Sequence, residues 1–221
     1  MGDFISLFNE SDPTNVATSV KLLLLLTVLG LAPSILILMT SFTRIVIVLS
    51  FTRTALATNQ TPPNQVIIGL ALFLTFFIMA PTFQKVNEEA LQPLFNEEIG
   101  IEEAYTRASL PMKEFMAKHT RHEDLELFLK YNEAERPQTI EEIPLTMLVP
   151  AFALSEIKTA FQMGFMIFIP FIVIDMVVAS VLMSMGMMML PPVMISLPFK
   201  ILLFVLVDGW YLVVKSLLTS F

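Results

Sequence analysis

Cysteine is absent from all 221 residues. No disulfide framework, thiol nucleophile or thiolate metal site is therefore possible, and the redox compartment is left undetermined. Histidine occurs only at His119 and His122, within His-Thr-Arg-His-Glu-Asp, which lacks the glutamate placement of a zinc-protease helix. Their i, i+3 spacing fits either a metal pair or, more simply, an exposed polar face. The seven glycines are scattered singly, so there is no Gly-rich phosphate loop. No serine stands in a nucleophile-elbow pattern. Charged residues make up only 15% of the chain, and no basic segment precedes the first apolar run, so the N-terminus reads as retained rather than as a signal peptide. Taken together, these absences leave no predicted catalytic residue, cofactor site or metal site.

Apolar residues, by contrast, reach 55%, and the mean hydropathy is +0.74. Such a composition predicts an all-α membrane protein rather than a soluble domain. Charge is confined. Between Thr82 and Glu142 there are 7 Lys/Arg and 14 Asp/Glu, while the remainder is balanced, so the net charge of −7 sits in one central segment. An acidic segment of this kind repels nucleic acid and calls for solvent.

Along the chain four parts separate. Residues 1–19 are polar and acidic at Asp3, Glu10 and Asp12. Residues 20–81 read as a first apolar helical hairpin. Leu22 to Met39 is an uncharged run interrupted by Gly30 and Pro33, where a kink is predicted. Apolar character then continues past Arg44 to Arg53, before a polar turn, Thr58-Asn-Gln-Thr-Pro-Pro-Asn-Gln65. Val66 to Ala80 is apolar for only 15 residues. That is roughly 22 Å of helix, short of a ~30 Å hydrocarbon core. Residues 82–142 predict two or three amphipathic helices in a small extracytoplasmic insertion. Val86, Ala90, Leu91 and Leu94 share one face, as do Leu125, Phe128 and Leu129; Pro93, Pro111 and Pro137 punctuate the segment. Residues 143–221 form a second apolar hairpin, with Pro170 placed to bend its first helix and Gly186, Pro191, Pro192 and Pro198 interrupting 186–198. Arg53 beside the first turn and the acidic N-terminus predict a cytoplasmic turn, with the N-terminus, acidic segment and C-terminus outside.

Two features of the second hairpin suggest chemistry. Asp175 and Lys200 are charges embedded in apolar sequence, 25 positions apart. A chain that turns midway brings them to one level, where they can pair within the hairpin or between copies, or sit separately at an interface. Midway lies Met183-Ser-Met-Gly-Met-Met-Met-Leu-Pro-Pro192, half methionine. Chemistry alone allows three readings: apolar packing, a copper(I) thioether site, or a deformable seal. Methionine is unbranched and polarizable, and it yields to unlike shapes.

These stretches resemble a known family. Ser41-Phe-Thr-Arg-Ile-Val-Ile-Val-Leu-Ser50, Thr61-Pro-Pro-Asn-Gln-Val66, Gly69-Leu-Ala-Leu-Phe-Leu-Thr-Phe-Phe-Ile-Met-Ala-Pro81, Leu154-Ser-Glu-Ile-Lys-Thr-Ala-Phe-Gln-Met-Gly-Phe165 and the methionine run are similar to the FliP family, which includes SctR-type injectisome proteins. The resemblance covers essentially the whole chain. It implies a core subunit of the type III export gate in the bacterial inner membrane and flagellar basal body, non-enzymatic and without cofactor. A pentamer with FliQ-like and FliR-like subunits, wound into a helical ring complex, would pass unfolded flagellar proteins and meet FlhB-like and FlhA-like components. It further implies that Met187, Met188 and Met189 line a constriction limiting leakage, and that Asp175 and Lys200 pair between subunits. An injectisome gate subunit is the alternative, and a copper or small-ion carrier the more distant rival.

Overall fold

The computed structural model describes residues 23, 26, 27, 30, 31, 33–58, 60–133, 137–187 and 189–221. Among these no strand occurs. Residues 1–19 and part of the Leu22–Met39 run lie outside this set; the described residues of that run are all helical. Two compact units are present, Met1–Ile37 and Leu38–Phe221. Eight helices of the second unit follow in chain order.

Helix α1 spans Phe42–Ala55 and α2 spans Asn64–Val86. A π-helical turn, Asn87–Leu91, leads into the single turn α3, Gln92–Phe95. Two short amphipathic helices follow, α4 at Ile101–His119 and α5 at His122–Tyr131. Then come α6, Leu145–Ser184; α7, Pro192–Leu206; and α8, Gly209–Thr219.

Local chemistry explains most boundaries. Glu102 and Glu103 open α4 while Lys118 and His119 close it; Glu123 and Asp124 open α5 and Lys130 lies in its last turn. Both arrangements put charge where the helix dipole favours it. Prolines mark starts: Pro63, Pro144 and Pro191 stand immediately before α2, α6 and α7. Their fixed φ pre-sets the chain for entry.

Four sequence expectations change. Pro81 sits inside α2, so that helix runs 23 residues, well past the apolar Val66–Ala80 stretch. Together with the turns that follow it, Asn64–Phe95 is long and apolar enough to cross a membrane, as is Leu145–Ser184. Pro111 likewise lies inside α4 rather than ending it. The π turn inserts a residue into the predicted face, so Ala90 is buried while Leu91 is left exposed. The second half also holds three helices rather than two, because α7 and α8 meet at 62° around Asp208, whose φ is 51°.

α1 and α6 form the central contact. Ile45, Val48 and Leu49 are fully buried, an i, i+3, i+4 stripe whose burial contributes about 1.5–3 kcal/mol per side chain. Phe51 meets Phe161 edge-on at 5.1 Å, and Gly164 gives the Phe51 ring its space. Arg44 meets Glu156 at one end of this contact, and the Ala55 carbonyl lies beside Lys200, the partner of Asp175, at the other. The helices therefore run in the same direction. Both proline-rich turns, 58–63 and 185–191, consequently point toward one end of the unit. At the opposite end a core of Met116, Ile143, Leu148 and Phe152 joins the acidic segment to the start of α6. There the Arg121 backbone N–H donates to Ser155 Oγ at 3.0 Å, and Ser155 donates to Asp124 Oδ2 at 2.6 Å.

Candidate functional site

Helix α6 ends through backbone bonds that fix the methionine turn. Gly186 has φ +76°, the left-handed region that glycine occupies without penalty. Its N–H donates to Met183 O at 3.0 Å, and the Met187 N–H donates to Leu182 O at 3.0 Å. These two bonds are the Schellman pattern, which satisfies carbonyls that a helix end otherwise leaves open. Five residues later Pro192 opens α7. Met187 and Met189 thus lie between the capped end of α6 and the start of α7. Met189 is 98% exposed, and Met183, Met185 and Met187 are exposed as well. Met188 lies outside the described residues.

Below the tip the hairpin remains apolar and open. Val177, Val181, Met194 and Phe199 are exposed, and a shallow apolar groove of about 460 Å³ runs between α6 and α7, lined by Val173, Val177, Leu182 and Ile195 among others. Hydrophobic surface on this scale marks contact with lipid or protein.

Asp175 and Lys200 meet in the same chain. Lys200 Nζ donates to Asp175 Oδ2 at 2.7 Å, and Ser196 Oγ donates to Asp175 Oδ1 at 2.5 Å. Lys200 Nζ also donates to the Ala55 carbonyl at 3.3 Å. The two partners differ in access: the Lys200 side chain is 3% exposed and that of Asp175 29%. Ser196 and Lys200 are four residues apart, one helical turn, so one face of α7 holds both carboxylate oxygens. Sequence reading singled out the ion pair but not Ser196; the i, i+4 spacing to Lys200 was the available signal.

A second buried ion pair went unpredicted. Arg44 Nε donates to Glu156 Oε2 at 2.9 Å, and Arg44 Nη2 bonds the other carboxylate oxygen. Arg44 Nη1 donates to Ser220 O at 2.8 Å, and its guanidinium lies 3.9 Å from the centre of the Phe221 ring. With both members buried, this fork replaces the water that each charge loses. Neighbouring Lys118 and His119 reach the Phe221 carbonyl, at 2.8 and 3.4 Å. Burial holds the His119 imidazole below its usual pKa of 6.5, outweighing its bonds to the Phe115 and Phe221 carbonyls, and nearby Arg44 and Lys118 add to the lowering. His122 lies exposed at the start of α5. Among the described residues no group of three or more His, Cys, Asp or Glu is placed to hold a metal.

Comparison with known proteins places this geometry. A FliP family model matches residues 25–217. The flagellar biosynthetic protein FliP of Bacillus subtilis is 72% identical over 221 residues, covering all of both chains. That of Aquifex aeolicus is 56% identical over 209 residues, 94% of this chain and 87% of the relative. That of Caulobacter vibrioides is 55% identical over 202 residues, 91% and 76% of the two. A match across nearly the whole length, through both apolar halves and the acidic segment between them, shows that this chain belongs to the FliP family.

Proposed function

We propose that this chain is a core subunit of the flagellar type III protein export gate. Several copies, with FliQ-like and FliR-like partners, surround a conduit for unfolded flagellar proteins in the inner membrane, and Met187, Met188 and Met189 form its gasket. Full-length similarity to proteins named flagellar biosynthetic protein FliP supports the flagellar assignment over the injectisome one. The observation that carries the gasket is the methionine turn at the free tip of an apolar hairpin, with Met189 almost wholly exposed.

Mechanically the reading is simple. Thioether side chains have no hydrogen-bond partners to satisfy and three rotatable bonds each, so a ring of them closes on itself and still yields to any passing sequence. Schellman closure at Gly186 anchors the start of the loop to the end of α6. Neighbouring copies cover the apolar faces of the hairpin. In such an assembly Asp175 and Lys200 pair between neighbouring subunits; the 29% exposure of the Asp175 side chain leaves it reachable from the next copy. Energy for export enters elsewhere than in this chain, which meets FlhA-like and FlhB-like components.

Deleting the gene and scoring motility against effector secretion tests the assignment. Loss of motility with secretion of effectors intact is expected; a motile deletion strain refutes the flagellar reading.

A further inference from the structure

The C-terminus of α1 leaves four carbonyls, Thr52 to Ala55, without partners from its own helix. Three are taken locally: Leu56 N–H bonds Thr52 O, Thr58 N–H bonds Arg53 O and Ala57 N–H bonds Thr54 O, at 3.1, 3.3 and 2.9 Å. The fourth, Ala55 O, accepts from Lys200 Nζ. A lysine from the second hairpin thus completes the cap of the first, where a cation is also favoured by the helix dipole. The same ammonium holds Asp175, and Ser196 holds the other oxygen of Asp175. Ser196 and Lys200 are both buried.

We infer that Ser196, Asp175, Lys200 and the Ala55 carbonyl form a clamp at the base of the methionine hairpin, with Ser196 as a positioning residue that fixes α7 against α6. Three helix segments meet at this one polar point. Among the described residues from Met176 to Ile195 only Ser180 and Ser184 are polar, and a buried polar contact specifies register between two helices more sharply than apolar contact does. A hydroxyl that donates at 2.5 Å to a carboxylate already held by a buried ammonium does set it. Without the hydroxyl, Asp175 Oδ1 loses its donor within the chain and α7 is free to slide or roll about Lys200. The inference rests on reading the methionine turn as the working end of the hairpin, because that is the end the clamp would position.

This chain has no cysteine, so two can be introduced as spin-label sites, with labelled copies diluted among unlabelled ones in the purified full-length complex so that distances within one copy are read. One pair, Met183→Cys with Met194→Cys, lies beyond the clamp; a second, Ile169→Cys with Val205→Cys, lies on the other side of it, and all four positions are exposed. Ser196→Ala is expected to make the 183–194 distance distribution about twice as broad while leaving 169–205 unchanged, since an unsupported group loosens on the order of 1 Å. Ser196→Thr, which keeps the hydroxyl, is expected to restore the narrow distribution. An unchanged 183–194 distribution in Ser196→Ala overturns the inference. Equal broadening of both pairs also overturns it, by making Ser196 a general packing residue. The distances do not depend on whether the loop seals, so failure of the gasket reading would show separately, as an absence of ion leak when the methionines are replaced.

Discussion

Arg44 and Glu156 stand 112 positions apart, and the Arg44 Nε donates to Glu156 Oε2 at 2.9 Å with neither side chain open to solvent. This bond fixes the start of α1 against α6 and, through Ser220, brings in the end of α8. Removing one member leaves the other charge buried alone. Glu156→Ala is therefore expected to cost about 3–5 kcal/mol. Glu156→Gln, which keeps an acceptor and the volume, should cost less. Thermal unfolding of the purified protein measures both, and equal melting temperatures for wild type and Glu156→Ala would contradict the role.

His119 gives the fold a pH dependence of defined sign. Burial lowers its folded pKa below the 6.5 of the free side chain. Stability is then full above 6.5 and falls as pH drops toward the folded pKa, because there the unfolded chain binds a proton that the folded chain resists. Melting temperature should decline below about 6.5, and His119→Gln should flatten that part of the curve. An unaltered pH profile in the variant would contradict the assignment.

Gly164 is needed for close approach. A Cβ there would lie 2.6 Å from Cγ of Phe51, so Gly164→Ala forces α1 and α6 apart. The expected cost is about 1–3 kcal/mol. Phe51→Leu in the same chain should recover part of it, measured again by thermal unfolding.

Gly186 acts through its backbone instead. A Cβ at this position meets nothing within 4 Å, yet φ is +76°. Gly186→Ala is expected to cost about 1–2 kcal/mol from conformation alone and to disturb the methionine turn more than overall assembly. Unfolding and ion-leak assays, run together, separate these effects.

The helical class, the acidic insertion and the position of the methionine turn were legible because apolar runs, charge and proline report locally. The shared level of Asp175 and Lys200 was legible for a similar reason, since a turn lies midway between them; whether they pair within one chain or between copies was not. Arg44–Glu156 was not: within its own helix each residue is simply a charge in an apolar run, and only the parallel packing of α1 on α6 joins them. Pro111 reads as punctuation in the sequence, yet the neighbouring turns carry its helix through. The π turn at 87–91 left no periodic signal, because one inserted residue shifts a face without changing composition. Ser196 carries no signal by itself in the sequence; its bond to Asp175 comes from the packing of α7 on α6.

The gasket is tested most directly by ion flux. Met187, Met188 and Met189 should be replaced together by alanine, and conductance across the membrane measured in cells that assemble the complex, alongside export of flagellar subunits. Increased leakage of small ions with export largely retained is the predicted result. A membrane as tight as wild type, with the variant complex assembled, would contradict the gasket and leave these methionines as packing residues.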